Sequence, residues 1–489
     1  MDASLELECA EDRKTAPFGV KDGAVDRQAF HDYLEQRTKR RQVNKVLHCH
    51  PSPRLWREED FPLDRMLQGR RETLGSSGKS LNVYVASPYC PKTEPTACGF
   101  CLFPHEDYRG PAALDRYYAH LRREGAMLRE HLADDRVSGV YFGGGTPNLV
   151  RADGYQTLMD MLTDVFPDLP SDIEITLEGL PQLFTREKLV SLKAAGFNRI
   201  SMGVQQLDAD LIRHSGRRQS ADQVFRVLDW CEGLGLKTSI DLIYGWPQQT
   251  LETMVADLQA AVATGISHLT HYELNVGGRS HFARHMKSDL PSIERNIEMF
   301  HTSRQVMQAA GFRQVTTYDW ERQDGEFSFE HDMRQFLTWD ETRGMRGTDM
   351  WGWGFAGVSH FMGTPEAPGF SCMNTTRVER YVGSVADGAL PLERAYRHSR
   401  DSMKICWLFQ GLQSIGFRRS SYRGLFDEDL IDAHVDLWRV LEERGWVELG
   451  EEEVALTGDG IYYTPLIQNA FSDWWDAGRN APAGAAEAH

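Results

Sequence analysis

Three cysteines lie close together in the stretch "SPYCPKTEPTACGFCLF", directly after a run of residues that is typical of a β-strand. They are Cys90, Cys98 and Cys101, and the segment between them carries prolines and polar residues, as an exposed loop does. Their spacing is compatible with a disulfide fragment, with a zinc site, and with a metal cluster that has three protein ligands. The chemistry of the protein depends on which of these is formed.

A closed zinc site normally takes four protein ligands, usually as two separated pairs, and a second pair is missing here. His48 and His50 in "HCH" could complete such a site, but they precede a turn in the N-terminal part of the chain. Three thiolates can instead hold three irons of a cubane and leave the fourth iron open to a chelating substrate. The shortage of a fourth ligand then has a function.

The composition favours a cytoplasmic protein. The chain has 489 residues and a net charge of −17, which disfavours binding to nucleic acid or to an anionic membrane. We find no apolar run long enough for a transmembrane helix, and the acidic opening "MDASLELECAEDRK" is unlike a signal peptide. The eight cysteines are mostly scattered, which in a reducing compartment indicates free thiols.

The residues after Leu81 alternate between short β-rich runs and helical patterns, which predicts a series of βα units. The six β-rich runs are "LNVYVASPY", "VSGVYFGG", "DIEITLEG", "RISMGVQ", "LKTSIDLIYG" and "HLTHYEL". Six such units predict a parallel sheet that curls into a partial barrel, with ligands at the carboxyl ends of the strands. A doubly wound open sheet fits the same pattern.

The pattern divides the chain into five segments. We predict an N-terminal extension (1–80), the βα region (81–275), an irregular accessory region (276–395), a compact C-terminal unit (396–477) and a disordered tail (478–489). The C-terminal unit reads as a helix followed by the hairpin "GWVELGEEEVALTGDG", which favours a winged-helix-like α+β domain over a generic helical cap. Its acidic character argues against a role in binding DNA.

The cysteine segment resembles that of the radical S-adenosylmethionine (SAM) enzymes, within the group of the oxygen-independent coproporphyrinogen III oxidase, which includes the class C radical SAM methyltransferases. The family motif is Cys-x3-Cys-x2-Cys, and "CGFC" fits its second half, whereas seven residues separate Cys90 from Cys98. The resemblance implies a partial (β/α)6 barrel in an α/β fold. It also implies a 4Fe-4S cluster held by Cys90, Cys98 and Cys101, with SAM on the open iron.

Further family motifs follow in order and assign SAM contacts to strand ends. The resemblance places Gly144, Gly145 and Thr146 of "GGGTP" at the methionine part of SAM. It places Glu178 at the ammonium group, where a carboxylate suits the positive charge. Tyr84, six residues before the first cysteine, matches a tyrosine beside the cluster-bound SAM and is our candidate catalytic residue.

Of the last three candidates, Gln205 and Asp241 are predicted to end the fourth and fifth strands, and Arg217 follows twelve residues after Gln205. Gln205 and Asp241 match family residues near the ribose and adenosyl groups, and Arg217 matches an arginine near the SAM carboxylate. The adjacent Arg218 leaves the register of this arginine open. Each of these polar residues could also merely cap a helix.

The family's chemistry is reductive cleavage of SAM to a 5′-deoxyadenosyl radical, which requires a low-potential electron donor such as a flavodoxin or ferredoxin. Coproporphyrinogen oxidases carry a further cysteine and a histidine where this chain has Phe103 and Ala86. Heme chaperones of the family carry His-Asn-x-x-Tyr-Trp, which "HDMRQF" (331–336) matches poorly. These differences lead us to predict methyl or methylene transfer, using a second SAM, to an unsaturated small molecule in a biosynthetic pathway.

Two alternatives stand beside that prediction. One is a coproporphyrinogen-oxidase-like or heme-degrading tetrapyrrole enzyme, and the other is a heme-binding chaperone. The aromatic stretch "MWGWGFAGVSHF" borders the active-site cavity in the family. Its Trp351 and Trp353 are predicted to be core residues, because large aromatic side chains are usually well buried.

Overall fold

The structure is a computed structural model that describes residues 20–21, 24–41, 47–57, 61–74, 80–278, 280–323, 339–340, 345–346 and 348–480. The stretch "HDMRQF" and residues 481–489 of the predicted tail lie outside the described residues. The chain divides into two compact units, one formed by Met1–His50 with Lys404–His489 and the other by Pro51–Met403. The finer division into five segments stays a prediction.

The strands alternate with helices through the middle of the chain, and short strand pairs lie at either side. They are β1 (Val20–Lys21), β2 (Ala24–Val25), β3 (Ser80–Ser87), β4 (Tyr89–Cys90), β5 (Glu106–Asp107), β6 (Arg136–Gly144), β7 (Glu174–Gly179), β8 (Arg199–Gln205), β9 (Lys237–Tyr244), β10 (His268–Glu273), β11 (Phe312–Gln314), β12 (Asp319–Arg322), β13 (Trp339–Asp340), β14 (Met345–Arg346), β15 (Asp349–Trp353), β16 (Val358–Gly363), β17 (Pro368–Asn374), β18 (Leu392–Arg397), β19 (Gly416–Arg418), β20 (Val447–Leu449) and β21 (Glu453–Leu456).

The α-helices connect these strands. They are α1 (Arg27–Thr38), α2 (Leu63–Leu74), α3 (Pro111–Leu132), α4 (Tyr155–Val165), α5 (Arg186–Ala195), α6 (Ala209–Arg213), α7 (Ala221–Leu234), α8 (Leu251–Ala263), α9 (His281–His285), α10 (Ile293–Ala309), α11 (Val378–Ala386), α12 (Arg400–Gln413), α13 (Arg419–Phe426), α14 (Leu430–Ala433), α15 (Val435–Glu443), α16 (Asp459–Tyr462) and α17 (Thr464–Asn480). Among the described residues, no helix combines the length and apolar character needed to span a membrane.

A twelve-stranded sheet in the Pro51–Met403 unit carries the predicted βα series. Its middle strands β10, β9, β8, β7, β6 and β3 are neighbours in that order and run parallel. The six predicted β-rich runs correspond to these six strands, so the predicted α/β class with a parallel sheet of βα units is confirmed. In a parallel sheet fed by right-handed crossovers, the carboxyl ends of all six strands lie at one edge.

Strands from the accessory region extend this sheet. β15 pairs in parallel with β3, and β16, β17 and β18 follow as antiparallel neighbours, while β12 and β11 extend the other side beyond β10. Trp351 and Trp353 on β15 are buried and stack on each other with ring centroids 4.6 Å apart. These two tryptophans belong to the core of the unit.

The other unit contains the predicted helix and hairpin. α15 is followed by β20 and β21, and β19 completes a three-stranded antiparallel sheet. Three histidine contacts tie the "HCH" segment into this unit: His48 Nδ1 lies 2.9 Å from Gln413 Oε1, and His50 lies 3.1 Å from both Ser472 Oγ and Asp476 Oδ1. Both histidines therefore have hydrogen-bond partners within their own unit.

Candidate functional site

The first cysteine is held by a short strand pair. Pro88 interrupts the strand after β3, and β4 then pairs in parallel with β5, so that Cys90 lies opposite Asp107. Two backbone hydrogen bonds close the pair, from Glu106 N–H to Pro88 O (2.8 Å) and from Tyr108 N–H to Cys90 O (2.8 Å). Both ends of the cysteine loop are therefore fixed to one another.

The lengthened part of the loop folds back on itself around Thr93. The Thr93 hydroxyl accepts from the Cys98 N–H at 3.0 Å and donates to Pro95 O at 2.8 Å. The backbone is left-handed at Ala97, Cys98 and Gly99, with φ values of 58°, 52° and 73°. Such conformations are unfavourable for residues other than glycine and persist only where surrounding contacts hold them.

Two side chains donate to the cysteine sulfurs, Thr146 from the segment after β6 and Arg217 from the segment between α6 and α7. Thr146 Oγ1 lies 3.5 Å from Cys90 Sγ, and Arg217 Nε lies 3.4 Å from Cys98 Sγ. The Arg217 guanidinium also donates to Gly203 O at 2.7 Å. Donors of this kind suit sulfur atoms that carry negative charge, as ligating thiolates do.

Two of the cysteine thiols, Cys90 and Cys101, have raised pKa values. Burial is the main cause that raises the pKa of the Cys90 thiol to about 12; the hydrogen bond from Thr146 lowers this pKa, and the neighbouring Cys101 and Cys98 contribute to the rise. Burial also raises the pKa of Cys101, with an additional contribution from Cys98, while Arg217 lowers it. Because thiolates are the species that bind metal, assembly of a metal centre here must displace protons.

The donor set fits a cubane. In the part of the chain that the structure describes, no three His, Cys, Asp or Glu side chains converge on the position of a single metal ion. A cubane makes a different demand, because each thiolate binds a different iron and the three sulfurs need only share one region. Cys90, Cys98 and Cys101 meet that demand, with Thr146 and Arg217 as donors around them.

Tyr84 and Glu178 meet at the carboxyl ends of β3 and β7. A Cβ atom on Gly143 of the intervening strand β6 would lie 2.7 Å from Tyr84 Oη and 2.8 Å from Glu178 Oε2. The Tyr84 ring stacks on Tyr141, with centroids 5.7 Å apart. Gly143 therefore leaves room for both polar groups. It is the first glycine of "GGGTP", but the sequence analysis assigned a role only to the two glycines after it.

Gly144 and Gly145 lie against the strand that leads to the first cysteine. Cβ atoms at these positions would lie 2.8 Å from Ser87 O and 2.6 Å from Tyr89 O, respectively. The Gly145 N–H also donates to Ser87 O at 2.7 Å. The two glycines thus allow the end of β6 to approach the β3–β4 corner, and their predicted contact with SAM stays a prediction.

Gln205 and Asp241 lie on the neighbouring strands β8 and β9, Gln205 at the end of its strand and Asp241 inside its strand. Gln205 ends β8 with a left-handed backbone (φ 69°) and is buried, and Asp241 on β9 is in register with Gly203 and Thr270 on the strands to either side. The structure thus places the predicted site residues in the loop after β3, in or directly after β3 and β6–β9, and, for Arg217, between α6 and α7. Their individual roles toward SAM stay predictions.

Phe100 of the cysteine loop packs in an aromatic cluster that no sequence motif predicted. Phe100 lies 5.0 Å from Trp246 and 6.2 Å from Phe282 between ring centroids, and the Arg217 guanidinium lies over the Phe100 ring at 5.6 Å. Because these contacts join residues far apart in the sequence, no local motif indicates them.

Gly216, next to Arg217, was missed for the same reason. Its φ is 72°, and a Cβ there would lie 2.3 Å from Glu94 O in the lengthened loop. The turn before Arg217 and the lengthened loop therefore touch at a point where only glycine fits.

Comparison with known proteins identifies the domain. The sequence profile of the radical SAM superfamily matches residues 84–261. The heme chaperone HemW of Escherichia coli is 30% identical over 238 residues, which are 48% of this chain and 61% of that protein. HemW of Bacillus subtilis is 24% identical over 80% of this chain and 98% of its own length.

Coproporphyrinogen oxidases are also similar. The oxygen-independent coproporphyrinogen III oxidase of Salmonella typhimurium is 27% identical over 78% of this chain and 83% of its own length. Among solved structures, the E. coli coproporphyrinogen III oxidase HemN superposes with a TM-score of 0.74 at 24% identity, over 88% of this chain and 97% of that one. At that identity the superposition establishes the fold alone.

These relatives overturn one prediction. Methyl or methylene transfer in a biosynthetic pathway was wrong as the main reading, because the relatives that align over most of their own length are a heme chaperone and a coproporphyrinogen oxidase. That prediction relied on the absence of two family residues: this chain has Phe103 in place of a cysteine and Ala86 in place of a histidine. The residues that are present, at the strand ends, are those implied for holding SAM, which every branch of the family does. Residues 84–261 thus form a radical SAM domain, a family that implies a 4Fe-4S cluster and SAM, in a chain related to the HemW and HemN type of coproporphyrinogen oxidase-like proteins.

Proposed function

We propose that this chain is a radical SAM protein that binds heme and takes part in heme delivery. The observation that carries the proposal is the similarity to the B. subtilis heme chaperone, which extends over 98% of that protein. The E. coli and Haemophilus influenzae heme chaperones support it with 30% and 27% identity.

Two positions in the site favour heme delivery over porphyrinogen decarboxylation. The resemblance implies that a decarboxylating enzyme has a cysteine at position 103 and a histidine at position 86. Here Phe103 points into solvent with 75% of its surface exposed, and Ala86 is buried with its carbonyl accepting from Tyr117 Oη at 2.6 Å. Neither side chain can donate a proton or ligate a metal.

The residues at the sheet edge would hold the family's cofactors. Cys90, Cys98 and Cys101 would ligate the cluster, and the Glu178 carboxylate would accept hydrogen bonds from the ammonium group of SAM. With both bound, the site supplies one-electron cleavage of SAM. The proposal requires one SAM and a low-potential electron donor, and the free thiols of the seven described cysteines suit a reducing, cytoplasmic setting.

Heme binding is the direct test. The cluster would be reconstituted anaerobically, heme added in steps, and the protein separated by gel filtration before heme and iron are quantified. We expect about one heme per chain to stay with the wild type and with the cluster-free Cys98→Ala variant. Loss of heme from the wild type during gel filtration would overturn the proposal.

A second candidate is a radical enzyme that acts on a tetrapyrrole, and the similarity to the S. typhimurium oxidase over 83% of its length favours it. The test is incubation with SAM, dithionite and coproporphyrinogen III. Formation of 5′-deoxyadenosine that depends on the tetrapyrrole and on intact Cys98 would support this candidate. Formation at the same rate without the tetrapyrrole would count against it.

A further inference from the structure

An exposed apolar pair follows the third cysteine directly. Leu102 and Phe103 are 44% and 75% exposed, although large apolar side chains with this much free surface are few in the described residues. Both lie within two residues of Cys101, on the loop that β4 and β5 close. An apolar surface beside a reactive centre is typical of a place where a ligand docks.

His105 lies in the same loop, with its ring oriented by the backbone. Its Nδ1 lies 2.9 Å from Phe103 O, and a carbonyl oxygen can only accept, so Nδ1 carries the proton. In the neutral imidazole, Nε2 then keeps its lone pair. Histidines that ligate metals commonly show this arrangement, with one nitrogen donating to a carbonyl and the other on the metal.

Two cations flank this loop. Lys92 Nζ lies 3.5 Å from Asp107 Oδ2, and Arg109 lies 3.5 Å from Glu106 Oε2, and both cationic side chains are well exposed. Ion pairs of exposed cations contribute little to stability, so Lys92 and Arg109 can each turn from the acidic partner to a carboxylate of a ligand. The loop therefore combines an oriented imidazole, an apolar surface and cations within 18 residues of sequence, from Lys92 to Arg109.

We propose that heme docks on this loop, with His105 Nε2 as the axial ligand to iron and with Phe103 and Leu102 against the porphyrin face. Heme matches the three features, because it presents an open metal position, a flat apolar surface and two carboxylates. The inference rests on the proposed heme binding and names the residues that carry it. It places the heme beside the cysteines of the radical SAM domain.

The test compares His105→Ala with His120→Ala in cluster-free protein, so that cluster absorption does not overlap the heme bands. His120 is the matched control, because its Nδ1 makes the same kind of contact, 2.7 Å from Arg116 O on α3. We expect H105A to weaken heme binding about tenfold or more and to lose the low-spin, histidine-ligated signature in absorption and electron paramagnetic resonance spectra. H120A should match the wild type.

Further variants separate ligation from a structural effect. Adding imidazole to H105A should restore the low-spin signature, and H105M should bind heme with a changed axial signature because thioether sulfur also ligates heme iron. F103S should weaken binding and leave the ligand signature as it is. Equal iron uptake by H105A and the wild type on reconstitution checks that the loop still folds.

The outcomes distinguish the two proposals. If the wild type binds heme and H105A binds it equally well with the same spectrum, His105 is not the ligand and the heme proposal stands without this site. If H105A loses binding and imidazole does not restore the signature, the ligand assignment is also overturned. If the wild type binds no heme, the proposed function fails and this inference fails with it.

Discussion

Glu124 is expected to make the stability of the Pro51–Met403 unit depend on pH. Its side chain is 1% exposed in the middle of α3. Glu124 Oε2 accepts from Tyr381 Oη at 2.6 Å, and Oε1 accepts from Asn374 Nδ2 at 2.7 Å. Both of these donors are neutral, so burial outweighs the hydrogen bonds and raises the pKa of this carboxyl to about 7 from its ordinary value of 4.5.

The magnitude and sign follow from linkage. The folded state holds this proton more tightly than the unfolded state, so ionising Glu124 costs more free energy in the folded state than in the unfolded state. At about 1.4 kcal/mol per pKa unit, the shift corresponds to about 3 kcal/mol. The contribution of Glu124 to the free energy of unfolding is therefore unchanged below pH 4.5, falls as the pH rises to about 7, and stays low above that value.

The Glu124→Gln variant removes the ionisation and keeps the shape. The amide oxygen can accept from Asn374, and the amide nitrogen can donate to the Tyr381 oxygen. We expect the free energy of unfolding of E124Q to equal that of the wild type near pH 4, below the ordinary pKa of 4.5, and to exceed it by up to about 3 kcal/mol at pH 8.

Urea unfolding of metal-free protein at pH 4, 6 and 8 would measure the difference. Glu130→Gln is the matched control, because Glu130 lies on the same helix with a side chain that is 77% exposed. An E124Q variant that is less stable than the wild type at pH 8 would refute the reasoning, since it would show that the two hydrogen bonds outweigh the cost of burying the charge.

Two further substitutions test how the cysteine loop is held. Gly216→Ala places a methyl group 2.3 Å from Glu94 O at a φ of 72°, so we expect less iron per chain after reconstitution, whereas Gly233→Ala, where nothing lies within 4 Å, should match the wild type. Thr93→Val leaves the Cys98 amide without the acceptor seen at 3.0 Å and should destabilise the folded loop by about 1–3 kcal/mol. We expect this variant to lose iron to a chelator faster than the wild type, whereas Thr93→Ser should retain the iron. Equal iron content in the two glycine variants would contradict the first expectation, and equal iron retention in the two Thr93 variants would contradict the second.

The six barrel strands were predictable from the sequence because each is a short β-rich run that is bounded by turn signals or helical patterns. β8, for example, is buried along its whole length. The first run was predicted through Tyr89 as one strand, but Pro88 has no N–H to donate and the structure breaks the strand there into β3 and β4. The pairing of β15 with β3 was not predictable, because it joins Asp349 to Leu81 and no local periodicity encodes so distant a register.

The candidate site shows the same division. The cysteines and the strand-end residues were predictable because they lie at fixed places in a repeating βα pattern. The loop's supports were not, because Thr93, Gly216 and Trp246 act through contacts with residues elsewhere in the chain or through one hydroxyl among many. Such residues have no distinguishing pattern in a single sequence.

The error about the reaction has a related physical cause. The strand ends are assigned to SAM, and all branches of the family use SAM, so those residues carry little information about the second ligand. That ligand must be selected by side chains that extend beyond the sheet edge, where Phe103 is exposed and His105 is oriented by a carbonyl. In this chain, position 103 was first interpreted as the absence of a cysteine. In the structure, Phe103 is an exposed apolar side chain in the same loop as the His105 imidazole. Substitutions at these two residues, more than at the residues assigned to SAM, should therefore reveal what this protein binds.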